Sequence, residues 1–270
     1  MSSRPDRLTL VALGVLAFAL KATLHEWAGH GGAAVIAGCV PEGVSSAWWS
    51  SDCSALADPE AAVRLVKAGG TIANLIAAAL AGGVLAALRG RPGTLGAGAY
   101  FAWLVLVTNL LSGSGYMMVD PLFGFGDWSA FIESLGLPWM RWVIIGLGLG
   151  LSLLGLVVGR RLLLPWLGEG AEERRARSRA LGLLPYLAGA TIVPLSAALN
   201  PHGAGFVATS ALSTFGGCAW LVWIAFDPLV SRPEPRRGVV ERRPGWLVAG
   251  ALAALFLFAV LGPGIEFGAG

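Results

Sequence analysis

LTLVALGVLAFALKATLHEWAGHGGAAVIAG, residues 8–38, is a nearly continuous apolar run. It is broken by Lys21 and by three ionisable side chains close together, His25, Glu26 and His30. About 20 apolar residues complete a bilayer crossing, so this run reads as a membrane span with length to spare. Ionisable groups at membrane depth are costly, and they mark functional sites. The chain has 3 histidines, and two of them flank one glutamate here. Two imidazoles and a carboxylate on one helix are what a zinc hydrolase needs: ligands for the metal and a base for its water.

Working outward, the rest of the chain repeats the apolar character. Of 270 residues, 56% are hydrophobic and 13% charged, against about 25% charged in a soluble domain. The expected fold is therefore all-α, a polytopic transmembrane helical bundle. Seven spans are read, at 8–38, 62–88, 95–112, 138–158, 181–200, 204–226 and 246–265. The first run is too long for a cleaved signal peptide and lacks a small-residue cleavage site, so it is read as a retained span. No nucleic-acid module is present; the expected partners are the lipid bilayer and a membrane-associated substrate.

Arginine sets the expected orientation. Arg4 and Arg7 precede the first span, Arg89 and Arg91 follow the second, six arginines from Arg160 to Arg179 follow the fourth, and five from Arg232 to Arg243 follow the sixth. With the N-terminus in the cytoplasm all of these lie inside, and only Arg64, Lys67 and Arg141 lie outside. Trp48, Trp49, Trp128, Trp139 and Trp142 then gather at the outer boundary and Trp166, Trp223 and Trp246 at the inner one, as interfacial belts do. A bacterial-type plasma membrane fits this pattern.

Two cytoplasmic linkers divide the chain. Residues 168–180 are charged, and residues 229–245 are rich in Pro and Arg. They separate a four-span unit (1–167) carrying the histidines, a helical hairpin (181–228) and a last span (246–270). Cys39 and Cys53 flank the first outer loop, where an oxidising compartment allows either a disulfide or two free thiols. Gly146 to Gly150 and Gly155 to Gly159 read as close helix packing.

The spacing of the histidines is unusual. His-Glu-x-x-His motifs place two ligands four apart on one helical face. Here the histidines are five apart, which on a regular α-helix leaves them about 140° apart. A π-bulge would absorb the extra residue and bring them together, and Ala28 and Gly29 are small enough to allow it. The alternative pair, four apart, is Glu26 and His30.

His-Glu-x-x-Gly-His resembles the zinc motif of the dipeptidyl peptidase III family, whose two histidines bind zinc across the same extra residue. That family's second motif finds only a partial match at Glu172-Glu173-Arg174-Arg175-Ala176, read as coincidence. Residues 8–135 look more like the site-2-protease family of intramembrane zinc metalloproteases. There an early span carries the His-Glu motif, the glycine before its last histidine matches Gly29, and small residues such as Gly31 to Ala34 follow. The chain departs from that family in its histidine spacing and in having no Asn-Pro-x-x-Asp-Gly segment.

The resemblance implies a third ligand, an aspartate, from a later span. The glycine-rich stretch from Ser112 to Trp128 offers two. Asp127 is the first choice and Asp120 the second, because Asp120-Pro121 also reads as a turn. The stretch is read as flexible backbone re-entering the membrane. His202, in Asn200-Pro201-His202-Gly203, falls on the same outer side and is a candidate ligand, proton donor or oxyanion stabiliser. Asn74 and Asn109, polar residues within the second and third spans, read as links between helices, with bonding of a substrate backbone as the alternative. The resulting expectation is a zinc ion on His25, His30 and Asp127, with Glu26 as base, hydrolysing a peptide bond of a membrane-associated substrate. Its rivals are a transporter or proton relay using the same buried groups, and a catalytically inactive scaffold.

Overall fold

The computed structural model describes residues 4–89, 95–201, 203–226 and 238–268. Among them seven helices are long and apolar enough to cross a membrane: Arg7–Ala37, Pro59–Arg89, Ala97–Phe123, Met140–Trp166, Ala171–Ala197, Gly205–Phe226 and Pro244–Leu261. The protein is an all-α bundle, compatible with a multi-pass membrane protein.

The first span has three parts. Helix α1 (Arg7–Thr23) starts at a cap: the Asp6 carboxylate accepts from the Thr9 amide at 2.9 Å and the Thr9 hydroxyl at 2.7 Å, satisfying donors that a helix start leaves open. A π-helical segment, Leu24–Gly31, follows without a break and passes into α2 (Gly32–Ala37). Gly38 ends it in the left-handed conformation at φ 86°, which glycine adopts at no steric cost.

Helices α3 (Pro59–Arg89) and α4 (Ala97–Phe123) pack beside it, and α6 (Met140–Leu163) packs against α4. Helix α4 is central and buried along most of its length. Its Trp103 indole donates to the Gly159 carbonyl at 2.9 Å, and its Ser114 hydroxyl meets Ser152 at 2.8 Å. On α6 the buried face is Ile144, Gly148, Ser152, Gly155 and Gly159, one stripe of mostly small residues at helical spacing. Small residues let backbones approach where no hydrophobic effect drives helices together. The same device joins α1 to α7 (Ala171–Ala197): a Cβ on Gly14 would fall on the Pro185 backbone. Large apolar side chains such as Ile76, Leu80, Leu154 and Leu252 point outward.

Helices α8 (Ala204–Ala211) and α9 (Trp220–Phe226) make the sixth span around a second π segment, Leu212–Gly216. Helix α10 (Pro244–Phe256) and a third π segment, Leu257–Leu261, make the seventh. A small sheet adds to the all-α expectation. Strands β1 (Val40–Val44) and β2 (Trp49–Asp52) form an antiparallel hairpin, and β3 (Ile265–Glu266) joins the other edge of β1 in the order β2-β1-β3. A Cys39–Cys53 disulfide closes the hairpin. The residues after the first and last spans therefore meet at one end of the bundle. At the other end the Asp6 amide donates to the Val240 carbonyl at 2.9 Å.

Two expectations change. The third span does not end near residue 112 but runs to Phe123; its Ser and Gly residues are packing surface, as where a Cβ on Gly115 would fall on the Gly217 backbone. Residues 171–180 are the start of α7 rather than linker, with Arg177 bonding Glu173 one turn back at 2.9 Å. Of the second linker, residues 229–237 lie outside the described residues.

Candidate metal centre

The π-helical turn sets the geometry. With its hydrogen bonds running from i to i+5, this segment is wound more loosely than an α-helix and turns His25 and His30 to the same side, their ring centroids 4.8 Å apart and nearly perpendicular at 85°. Both are buried. The spacing that is awkward for an α-helix is the one this segment needs.

Close approach of α3 makes room for the rings. A Cβ on Gly29 would sit 2.5 Å from the Gly70 Cα, and one on Gly70 would sit 2.5 Å from His25 Nε2 and 2.7 Å from His30 Nε2. Both rings thus lie over a bare stretch of α3 backbone. The same helix orients them. His30 Nδ1 is 2.7 Å from the Val66 carbonyl oxygen, and His25 Nδ1 is 3.1 Å from Asn74 Oδ1. A carbonyl oxygen only accepts, so each Nδ1 donates and each Nε2 is left to face Asp127, as a donor where the ring is protonated and with a lone pair for a cation where it is neutral. Acceptors on the far nitrogen are how metal-binding histidines are commonly held.

Asp127 closes the triad. It lies in the first turn of α5 (Gly126–Leu135), and its Oδ2 is 3.1 Å from His30 Nε2 and 3.7 Å from His25 Nε2. Its Oδ1 accepts from Lys67 Nζ at 3.1 Å. Burial pushes the Asp127 carboxyl up, but the facing His30 and His25 rings and the Lys67 ammonium outweigh this and hold it well below the usual carboxylate range. Lone pairs facing a carboxylate repel unless a proton or a cation lies between them. His25 Nε2 has no hydrogen-bond partner. The three ligand atoms lie within 4.8 Å of one another and could hold a metal ion. Ligands about 2.0–2.1 Å from a tetrahedral ion stand about 3.3 Å apart, near the two edges measured.

Glu26 is buried and lines the same cavity, which has a volume of about 260 Å³. Trp48 and Trp49 of the hairpin line it too, with Tyr116 and Thr209. The Trp49 indole nitrogen is buried without a partner. Tyr116 stacks on His25 at 4.3 Å and 17°, and Lys21, itself buried, lies 5.7 Å from the centre of the Tyr116 ring.

The residues named from sequence divide as follows. His25, His30 and Asp127 are brought together, with Glu26 beside them. Asp120 borders the cavity from inside α4 rather than from a turn. His202 lies outside the described residues. Asn109 is remote in role: it donates to Val105 within its own helix at 2.8 Å. Asn74 does more than pack: it orients a candidate ligand. Val66, Lys67, Tyr116 and Trp49 complete the site without a sequence signal for that role, whereas Asn74 carries one, as an amide within a span. Comparison with protein-family models, curated proteins and solved structures finds no match to this chain.

Proposed function

We propose that the chain is an intramembrane zinc metalloprotease that hydrolyses a peptide bond of a membrane-associated substrate. The observation that carries this reading is the buried triad of His25, His30 and Asp127 facing one cavity with Glu26. Two imidazoles and one carboxylate form a donor set used by catalytic zinc, which leaves one position open. The ion's contribution when bound is Lewis-acid polarisation and a water pKa lowered to about 7.

The rest of the chemistry belongs to the chain. Glu26 takes the proton of the attacking water and passes it to the leaving amine nitrogen. Asn74 and Val66 keep both imidazoles turned inward. The cavity admits a short length of extended chain rather than a helix about 10 Å across. A helical substrate must therefore unwind locally, so helix-breaking residues near the cut are expected. With the arginine-rich end in the cytoplasm, the site opens in the outer half of the membrane.

Glu26→Gln tests the reading. Cleavage of a reporter with Gly-Pro in the outer part of its single span should fall by about 10²–10⁴-fold, while zinc content stays at the wild-type level. Undiminished cleavage by the variant would end the proposal.

A further inference from the structure

Asp120 is a rival to Asp127 as ligand by sequence, and its surroundings give it another task. It sits near the end of α4, three residues before Phe123, and is almost wholly buried. Its backbone carbonyl accepts from the amides of Gly124 and Phe125 at 2.9 and 3.2 Å and from the Ser129 hydroxyl at 2.8 Å. Its carboxylate Oδ2 accepts from the Trp128 amide at 3.3 Å. That amide belongs to the first turn of α5, where a helix leaves its N–H groups open and favours an anion. The turn between α4 and α5 is thus built around this one residue, on both its backbone and its side chain.

Gly126 fits the carboxylate closely. It has φ 76°, and a Cβ there would stand 2.5 Å from Asp120 Cγ and Oδ2 and 2.8 Å from Oδ1. The carboxylate therefore lies against the residue immediately before Asp127. Oδ1 is buried and has no hydrogen-bond partner, an expensive state for a group kept only for stability. The indole of Trp128 ties the same turn to α3, donating to Thr71 at 2.9 Å.

We propose that Asp120 is the positioning residue of the centre: it fixes the first turn of α5 so that Asp127 meets His25 and His30. This rests on the reading of those three residues as metal ligands. Asp120 touches no ligand side chain in this role; it acts through the backbone of residues 126–128. An asparagine keeps an acceptor for the Trp128 amide and caps helices as well as aspartate does, whereas alanine removes it.

The test is Co²⁺ binding to the purified full chain, followed by the visible absorption of the bound ion. Asp120→Ala should bind about 10–100-fold more weakly, with an absorption altered toward that of Asp127→Ala, and Asp120→Asn should match wild type in both. Gly126→Ala is the second variant, because its Cβ displaces the Asp120 carboxylate without deleting it; the same loss is expected. Wild-type affinity and absorption in Gly126→Ala, or in a folded Asp120→Ala, would overturn the proposal. Failure of Asp120→Asn to restore binding would do so as well. A wild-type chain that binds no Co²⁺ would instead overturn the metal centre itself.

Discussion

Asn74 does for His25 what the Val66 carbonyl does for His30: it occupies the ring nitrogen that faces away from Asp127. The difference is that a side chain can be changed. Replacing Asn74 by Ala leaves His25 free to turn and should weaken Zn²⁺ binding by about 10–100-fold, as measured by competition with a chelating dye. Asn74→Asp keeps an acceptor and should weaken it less; equal binding by wild type and Asn74→Ala would show that the ring is held otherwise. At this scale much is legible in the sequence. His25, Glu26 and His30 stand out because charge within an apolar run is costly and seldom kept without a function. Asp127 is visible as a carboxylate in a stretch that can reach them. The role of Asn74 is hidden, because its partner lies 49 positions away and only the register of α3 against the π segment brings them together.

Among elements, the pairing of the π segment with α3 is what places two imidazoles side by side. It depends on glycines at the crossing: Gly29 on one side, Gly69 and Gly70 on the other. Gly70→Ala should abolish metal binding and lower the melting temperature, because the new methyl would occupy the space of both rings. Gly83→Ala is the contrast in the same helix. No atom lies within 4 Å of its added Cβ, and alanine is the better helix former by about 1 kcal/mol. Its melting temperature should stay level or rise; a Gly70→Ala chain that melts and binds like wild type would refute the crossing as described. A second element-level prediction concerns the start of α1. The bond from the Thr9 hydroxyl holds the Asp6 carboxyl below its usual range, against a small opposing effect of burial and with further help from the Thr9 amide and Arg242. Asp6→Ala should therefore cost about 1 kcal/mol at neutral pH. A depressed folded pKa stabilises above the unfolded value, about 3.9, and that contribution is lost as pH falls through the folded one. The gap in melting temperature between wild type and Asp6→Ala should close under acid; a constant gap would assign the effect to something other than the ionised cap.

The whole molecule is most legible in outline and least in its joins. Seven spans follow from hydropathy because lipid forbids unsatisfied backbone, and the structure has seven helices that qualify among the described residues. The joins are obscured where one composition serves two purposes. Ser112 to Gly115 has the residues of a loop, yet in a membrane small residues are also how helices meet, and here they continue α4. Residues 171–180 have the charge of a linker, yet Glu173 and Arg177 lie one turn apart on a helix. The hairpin over the cavity, stapled by Cys39–Cys53 and joined by β3 from the far end of the chain, is hidden in the sequence, since a two-residue strand leaves no periodic trace. The hairpin, the π segment, α3, α4 and the start of α5 converge on one cavity, and the candidate metal centre stands or falls on what that cavity holds. X-ray absorption at the zinc edge, combined with metal stoichiometry of the purified chain, tests this most directly. The prediction is one zinc per chain bound by two imidazole nitrogens and a carboxylate oxygen, and lost when His25 and His30 are both replaced by Ala. A metal-free wild-type chain grown with ample zinc, or zinc retained at full stoichiometry without both histidines, would contradict it.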